Sequence, residues 1–277
     1  MAVLLSDLAN VLSDPGDARA VQDILGEFGD TFPDDSLRQN SYDRNYTFEE
    51  FESQPMTSKI GGGYAGGTTG DENAMKFESN IFEYHILGAG QTITAPSLSS
   101  TGLNVGMDQA NDEGIEMSQG ITSRSRSAFT VATDLPFFFK LRFTIPVVAG
   151  TDDCAMGFRK AEAYQANIDD YDEMACLNVI SGNITIETIL NDGTTATQDT
   201  GNDWADAETH NLEVRVSSTG AVSYLIDGVS PTVLPTTFSF DASEVVIPFF
   251  YFLHANASQA GAITIVSWEC GPQSAQS

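Results

Sequence analysis

The chain has 277 residues, 41% of them hydrophobic and 18% charged, with 39 Asp and Glu against 12 Lys and Arg and a formal net charge of −27. That balance is globular rather than disordered, and an acidic excess spread along the whole length repels polyanions, which excludes nucleic acid as a partner. Solubility in salt is the simplest account of the acid; divalent-cation binding and docking on a basic partner surface are the alternatives.

In chain order, residues 6–29 are predicted to form two short helices. Ser6 caps a stripe of Leu8, Val11 and Leu12. Asp14, Pro15 and Asp17 suit the cap, first position and first turn of a second helix, whose apolar face is Val21, Ile24, Leu25 and Phe28 and which Gly29 ends. Neither face finds a partner within the segment. These apolar residues are therefore expected to form an attachment arm that packs on the main domain or on another chain. The N-terminal "MAVLLSDLANVLSD" has no basic stretch and too short an apolar run for a secretory signal. No segment reaches bilayer-spanning length, so synthesis in the cytoplasm without membrane insertion is expected. Residues 30–80 are polar and mixed. "GGGYAGGTTG" at 61–70 reads as a flexible linker, and no Gly-Lys-Ser/Thr follows it to make a phosphate-binding loop. Residues 1–80 are thus predicted to be arm and linker, and 81–277 a separate domain.

From residue 80 the pattern turns to strands. "FEYHIL" (82–87), "QTITAP" (91–96), "GIEMSQ" (114–119), "AFTVAT" (128–133), "FFFKLRFTIPVV" (137–148) and "CAMGFRKA" (154–161) are the first candidates. "ACLNVIS" (175–181), "ITIETIL" (184–190), "HNLEVRVS" (210–217), "AVSYLID" (221–227), "TTFSFD" (236–241), "EVVIPFFYFLHA" (244–255) and "AITIVSWECG" (262–271) follow. Leu212, Val214 and Val216 alternate with polar residues, as do Val222, Tyr224 and Ile226 after the turn, which marks a hairpin with one buried face. Many short strands with turn signals and no helical period predict a mainly β, antiparallel sandwich of jelly-roll type.

Candidate chemistry is sparse. Retaining glucanases of such folds set paired carboxylates on one strand, as Glu-x-Asp-x-x-Glu, so that both side chains share a face. Glu116 and Glu187 each stand alone here, and no enzymatic activity is expected. "NIDDYDEM" supplies Asp169, Asp170, Asp172 and Glu173 as candidate Ca²⁺ ligands, with further acid in "GTDDC" and "DQANDEG". None has EF-hand spacing, so solvated turns are the plainer reading and no cofactor is assigned. His85, His210 and His254 are far apart and read as packed or surface residues. Trp268 reads as core. Trp204 reads as a plug at the sandwich edge, with sugar stacking as the alternative. Cys154, Cys176 and Cys270 lack metal-ligand spacing, and three buried free thiols are expected rather than a disulfide.

Four stretches, "TGLNVGMDQANDEGIEM", "GTDDCAMGFRKAEAY", "ISGNITIETILNDG" and "DWADAETHNLEVRVSSTGAVSYLIDGVSPT", together resemble a family of structural proteins of tailed, commonly marine, bacteriophages over residues 80–272. These carry a concanavalin A-like, LamG-type jelly roll. In that fold a tryptophan, an "H-x-L-x-V-x-V" strand, a turn and a "V-x-Y-x-I-D-G" strand recur as a structural hairpin. The resemblance implies a non-enzymatic virion component, most readily a capsid decoration or cement protein. It would be anchored through its N-terminal region on the major capsid protein or another virion protein, as a homo-oligomer on the capsid surface. A carbohydrate-binding adhesion module of a head or tail fibre is the alternative, with a glycan as partner. No calcium-and-sugar constellation carries over residue by residue.

Overall fold

The computed structural model of the chain describes residues 46–53, 55–59, 72–77, 80–88, 96–105, 112–122, 125, 127–234, 237–255 and 260–273. They build two antiparallel sheets. The larger, ten-stranded sheet runs Ala196–Asp203 (β13), Asn183–Ile189 (β12), Met174–Ile180 (β11), Thr151–Lys160 (β10), Val245–His254 (β16), Gly114–Ser118 (β7), Ile81–Leu87 (β4), Glu72–Lys76 (β3) and Met56–Lys59 (β2), with Phe129–Thr130 (β8) also pairing β16. The seven-stranded sheet runs Val222–Ile226 (β15), Thr209–Val216 (β14), Phe137–Thr144 (β9), Ile263–Pro272 (β17), Gly102–Val105 (β6) and Ser97–Ser99 (β5), with Thr47–Glu49 (β1) also on β17. The expected mainly β, antiparallel sandwich is the observed fold.

Side-chain alternation explains which faces meet. Phe137, Phe139, Leu141 and Phe143 of β9 and Leu212, Val214 and Val216 of β14 point inward. They meet Cys154, Met156 and Phe158 of β10 and Leu177 and Val179 of β11 in one core. Trp268 is fully buried there, its ring centroid 4.3 Å from Phe139 and 5.2 Å from Phe82. Strand β16 breaks the alternation: "VVIPFFYFLH" is buried on both sides because a loop covers its outer face. Pro248 is tolerated in this central strand because β8 pairs only with Val245 and Val246, and β7 begins at Phe249. The missing N–H therefore falls between two neighbours.

Four expectations are corrected or bounded. The division at residue 80 is wrong: β1, β2 and β3 lie before it and belong to the sandwich, and the compact unit is Asn45–Ser277. The arm residues Leu8, Val11, Leu12, Val21, Ile24, Leu25 and Phe28, the 61–70 linker and most of "QTITAP" lie outside the described residues. "TTFSFD" contributes only an isolated bridge, Ala221 to Ser239, with Phe240 plugged into the core. Strand β13, "ATQDTGND", gives no apolar alternation because it is an exposed edge strand. The three cysteines are buried free thiols, as expected.

Trp204 fills the core rather than offering a platform. It is 2% exposed, its ring lies 4.6 Å from Phe143 at a tilt of 39°, and its indole N–H donates to the Glu208 carbonyl at 3.1 Å. A sugar ring has no access to either face, so the stacking alternative is overturned. His210 packs on its edge and is clasped between Asp227 (2.6 Å) and Glu208 (3.1 Å). Partial burial opposes the charged imidazole, but the two carboxylates outweigh it and raise the pKa. The clasp stabilises the fold below the ordinary histidine pKa and is lost as pH rises through the raised value. Replacing Trp268→Ala should cost about 3–5 kcal/mol by transfer and cavity terms. A shift of the denaturation midpoint at unchanged slope would establish it, and a change under about 1 kcal/mol would contradict this packing.

Candidate functional site

The loop of residues 161–173, between β10 and β11, folds back over the outer face of the large sheet. Ile168, Tyr171, Met174, Phe249, Tyr251 and Cys176 form a second apolar cluster beneath it. Its anchor is a buried ion pair. Arg159 of β10 donates from Nε to Glu116 of β7 at 2.7 Å, and both side chains are fully buried. Arg159 Nη1 donates to the Lys160 and Glu162 carbonyls at 3.0 and 3.2 Å. Tyr171 donates to the other Glu116 oxygen, and its ring lies 4.4 Å beneath the guanidinium. Burial works against the Arg159 charge, but Glu116 prevails and raises its pKa. Burial, then Glu116, also raises the Tyr171 phenol, so the guanidinium stays charged and the phenol neutral over the working pH range.

On the far side of the loop the same face stays open. A cleft of about 680 Å³ is lined by Asp152, Asp153, Asn167, Asp169, Glu187 and Thr195, with Ile180 and Thr197 at its margins. Its floor is built around Asn178 of β11. The Asn178 amide donates to Asp153 at 2.6 Å and Glu187 at 3.0 Å, while its carbonyl accepts from the Cys154 N–H at 2.9 Å. The Glu187 side chain also accepts from Thr185 at 3.4 Å. On the rim, Thr195 donates to Asp169 at 2.7 Å, and Asn167 caps the short turn that carries Asp169. Burial raises Asp153 to about 7; the Asn178 bond opposes this, and Glu187, Asp152 and Asp169 add to it. Burial also raises Glu187, with Asn178 again opposing. Near neutrality the floor therefore holds a share of uncharged carboxylic acid, which both donates and accepts hydrogen bonds.

The four candidate Ca²⁺ ligands do not converge. Asp169 faces the cleft and Asp170 is exposed. Asp172 pairs with Lys160, which also reaches Glu244 at 3.4 Å. Glu173 is buried, and burial, then Glu244 and Asp241, raises it to about 7. Among the described residues, no three His, Cys, Asp or Glu side chains are grouped as a metal requires. Glu116 and Glu187, isolated in sequence, each enter a network with partners distant in sequence: Arg159 of β10 and Tyr171 of the loop for Glu116, and Asn178 of β11 for Glu187. Sequence reasoning missed Asn178 and Arg159 and counted Asp153 only among the acidic turns. One signal was present: Asn178 and Arg159 are polar residues inside otherwise apolar strands, where an outward position must find partners.

No protein-family model matches the chain, and no curated protein matches it. Solved structures similar in fold include the Emp47p carbohydrate recognition domain, with 15% identity, TM-score 0.46, and coverage of 71% of this chain and 90% of that one. The lectin UEA-II complexed with galactose has 14% identity, TM-score 0.46, and coverage of 68% and 92%. An alginate lyase from Corynebacterium sp. has 12% identity, TM-score 0.45, and coverage of 68% and 92%. Neither ligand nor activity follows from identities this low.

Because Asp153 titrates near 7 when folded and near 4 when unfolded, the folded chain binds more protons between those values. Its contribution to stability therefore falls as pH rises through that window. Asp153→Asn should raise the melting temperature above about pH 7 and leave it little changed near pH 4. Paired melts across that range are the measurement, and equal melting curves at every pH would contradict the buried, acid-flanked setting of Asp153.

Proposed function

We propose that this protein is a non-enzymatic glycan-binding module that uses the Asn178-centred cleft. The observation that carries the reading is the open polar cleft on a sheet face that its own loop otherwise closes. Carboxyl, amide and hydroxyl groups, several fixed by mutual hydrogen bonds, suit a ligand whose surface is a set of hydroxyls. Fixed partners lose little freedom on binding. The non-enzymatic part rests on Glu187, which is 5% exposed and accepts from both Asn178 and Thr185. A carboxylate so occupied is poorly placed to attack an anomeric carbon. A glycan array probed with the full chain should give discrete hits, weakened roughly tenfold or more by Asp169→Ala or Thr195→Val through lost hydrogen bonds. An array blank at high protein concentration would refute binding, and cleavage products from a bound oligosaccharide would refute the non-enzymatic assignment.

A second reading, compatible with the first, keeps the chain as a phage virion component carried on the capsid surface, in contact with the major capsid protein or further copies of itself. Its support is a pair of exposed apolar side chains near the edge of the large sheet. Met56 is 74% exposed and Ile81 55% exposed, and both flank Lys76 in register on β3. Large exposed apolar groups beside an edge strand suit docking onto another protein. Deleting residues 1–44, which leaves every described strand in place, should preserve the sandwich's cooperative melt and abolish co-sedimentation with phage particles. Undiminished co-sedimentation of the truncated chain would remove the arm from the assembly reading.

A further inference from the structure

Two polar side chains on the outer face of the large sheet are buried with no hydrogen-bond partner among the described residues. His85 of β4 is fully buried under the Tyr164 ring, with centroids 4.8 Å apart and planes at 11°, and neither of its ring nitrogens is paired among those residues. Ser118 of β7 is fully buried as well, its hydroxyl equally unpartnered. The two share the outer face: His85 stands opposite Glu116 in the β4–β7 register, and Ser118 opposite Glu83 one step along. Glu116 does not serve His85, because Arg159 and Tyr171 occupy it. What closes over His85 is held lightly: Tyr164 makes one hydrogen bond, to the Ile86 carbonyl at 3.0 Å.

We propose that His85 and Ser118 form a second ligand subsite for a neutral, hydroxyl-rich molecule, with Tyr164 as its displaceable lid. Buried polar groups left unpaired oppose the closed state and are satisfied when a ligand replaces the lid. Glu116 is already matched by Arg159. Burial, then Arg159, holds the imidazole at about 4, so it is neutral. A neutral imidazole offers one donor and one acceptor and the serine hydroxyl offers both, which matches adjacent hydroxyls on a sugar ring. An ion entering the same place would bring an unmatched charge. The flat face of His85, now covered by an aromatic ring, would receive the apolar face of that sugar. The cleft lies on the same sheet face beyond the loop, so lid opening would extend one binding groove across the sheet. The ligand class rests on the glycan reading; the lid and its unpaired groups do not.

The test follows the His85 imidazole resonances of the full chain, ¹³C/¹⁵N-labelled at histidine, during titration with glucose and with cellohexaose. In the Tyr164→Ala variant both probes should perturb His85, with apparent binding at least roughly tenfold tighter than in the parent chain, because closure no longer withholds the competent state. Adding Ser118→Ala to Tyr164→Ala should reverse the gain. The same gain should persist with Asp169→Ala added, so loss of cleft binding leaves this outcome intact. If Tyr164→Ala fails to fold, Tyr164→Phe removes only the bond to Ile86 and should give a smaller gain. Unchanged His85 resonances in a folded lid variant at saturating probe would overturn the proposal. So would Ser118→Ala raising stability with no effect on binding, since Ser118 would then be a packing imperfection alone.

Discussion

The ion pair between Arg159 and Glu116 sets the terms for the rest of the outer face. Two charges buried away from water are tolerated when most of their remaining donors and acceptors are met. Glu116 meets Arg159 on one side and Tyr171 on the other, and Arg159 turns to the carbonyls of Lys160 and Glu162. All but Glu116 belong to β10's end or to the loop after it. The pair therefore fixes where that loop runs. Its path produces the second apolar cluster, lets β16 be apolar on both sides and ends the cover at Asn167 and Asp169.

One sheet face is thus divided into two electrostatic regimes. Under the loop, charge is cancelled pairwise and the polar groups are dry. Beyond it, Asp152, Asp153, Asp169 and Glu187 lie together with no cation among the cleft residues. Burial and mutual repulsion hold Asp153 partly protonated there, which moderates the field a ligand would meet. In a chain of net charge −27, that moderation distinguishes this cleft from an ordinary acidic surface loop.

The sandwich was readable from sequence wherever one face met the core and the other met water: the alternation of Leu212, Val214 and Val216 marks β14 directly. It was unreadable at the edges. Strand β13 is exposed on most positions and carries no periodic apolar signal, and β1 to β3 are short and set among polar residues. The site was less legible than the fold for a geometric reason. A motif search along one strand finds partners two residues apart, whereas Asp153, Asn178 and Glu187 come together across three adjacent strands, β10, β11 and β12. Register, which depends on every turn between them, places them side by side. The acidic run 169–173 does not gather at one point for the converse reason: residues adjacent in sequence along a short turn and an extended segment point in different directions.

The three thiols are divided between two layers of this arrangement. Cys154 and Cys270 belong to the core between the sheets, and Cys176 to the smaller cluster beneath the loop. All are inaccessible, and burial pushes the Cys154 and Cys176 thiols well above their ordinary range. Neither reacts as thiolate until its own layer opens. The chain thus carries intrinsic reporters of cooperative opening: modification at Cys176 alone registers a local excursion of the outer layer, and modification at Cys154 registers separation of the sheets.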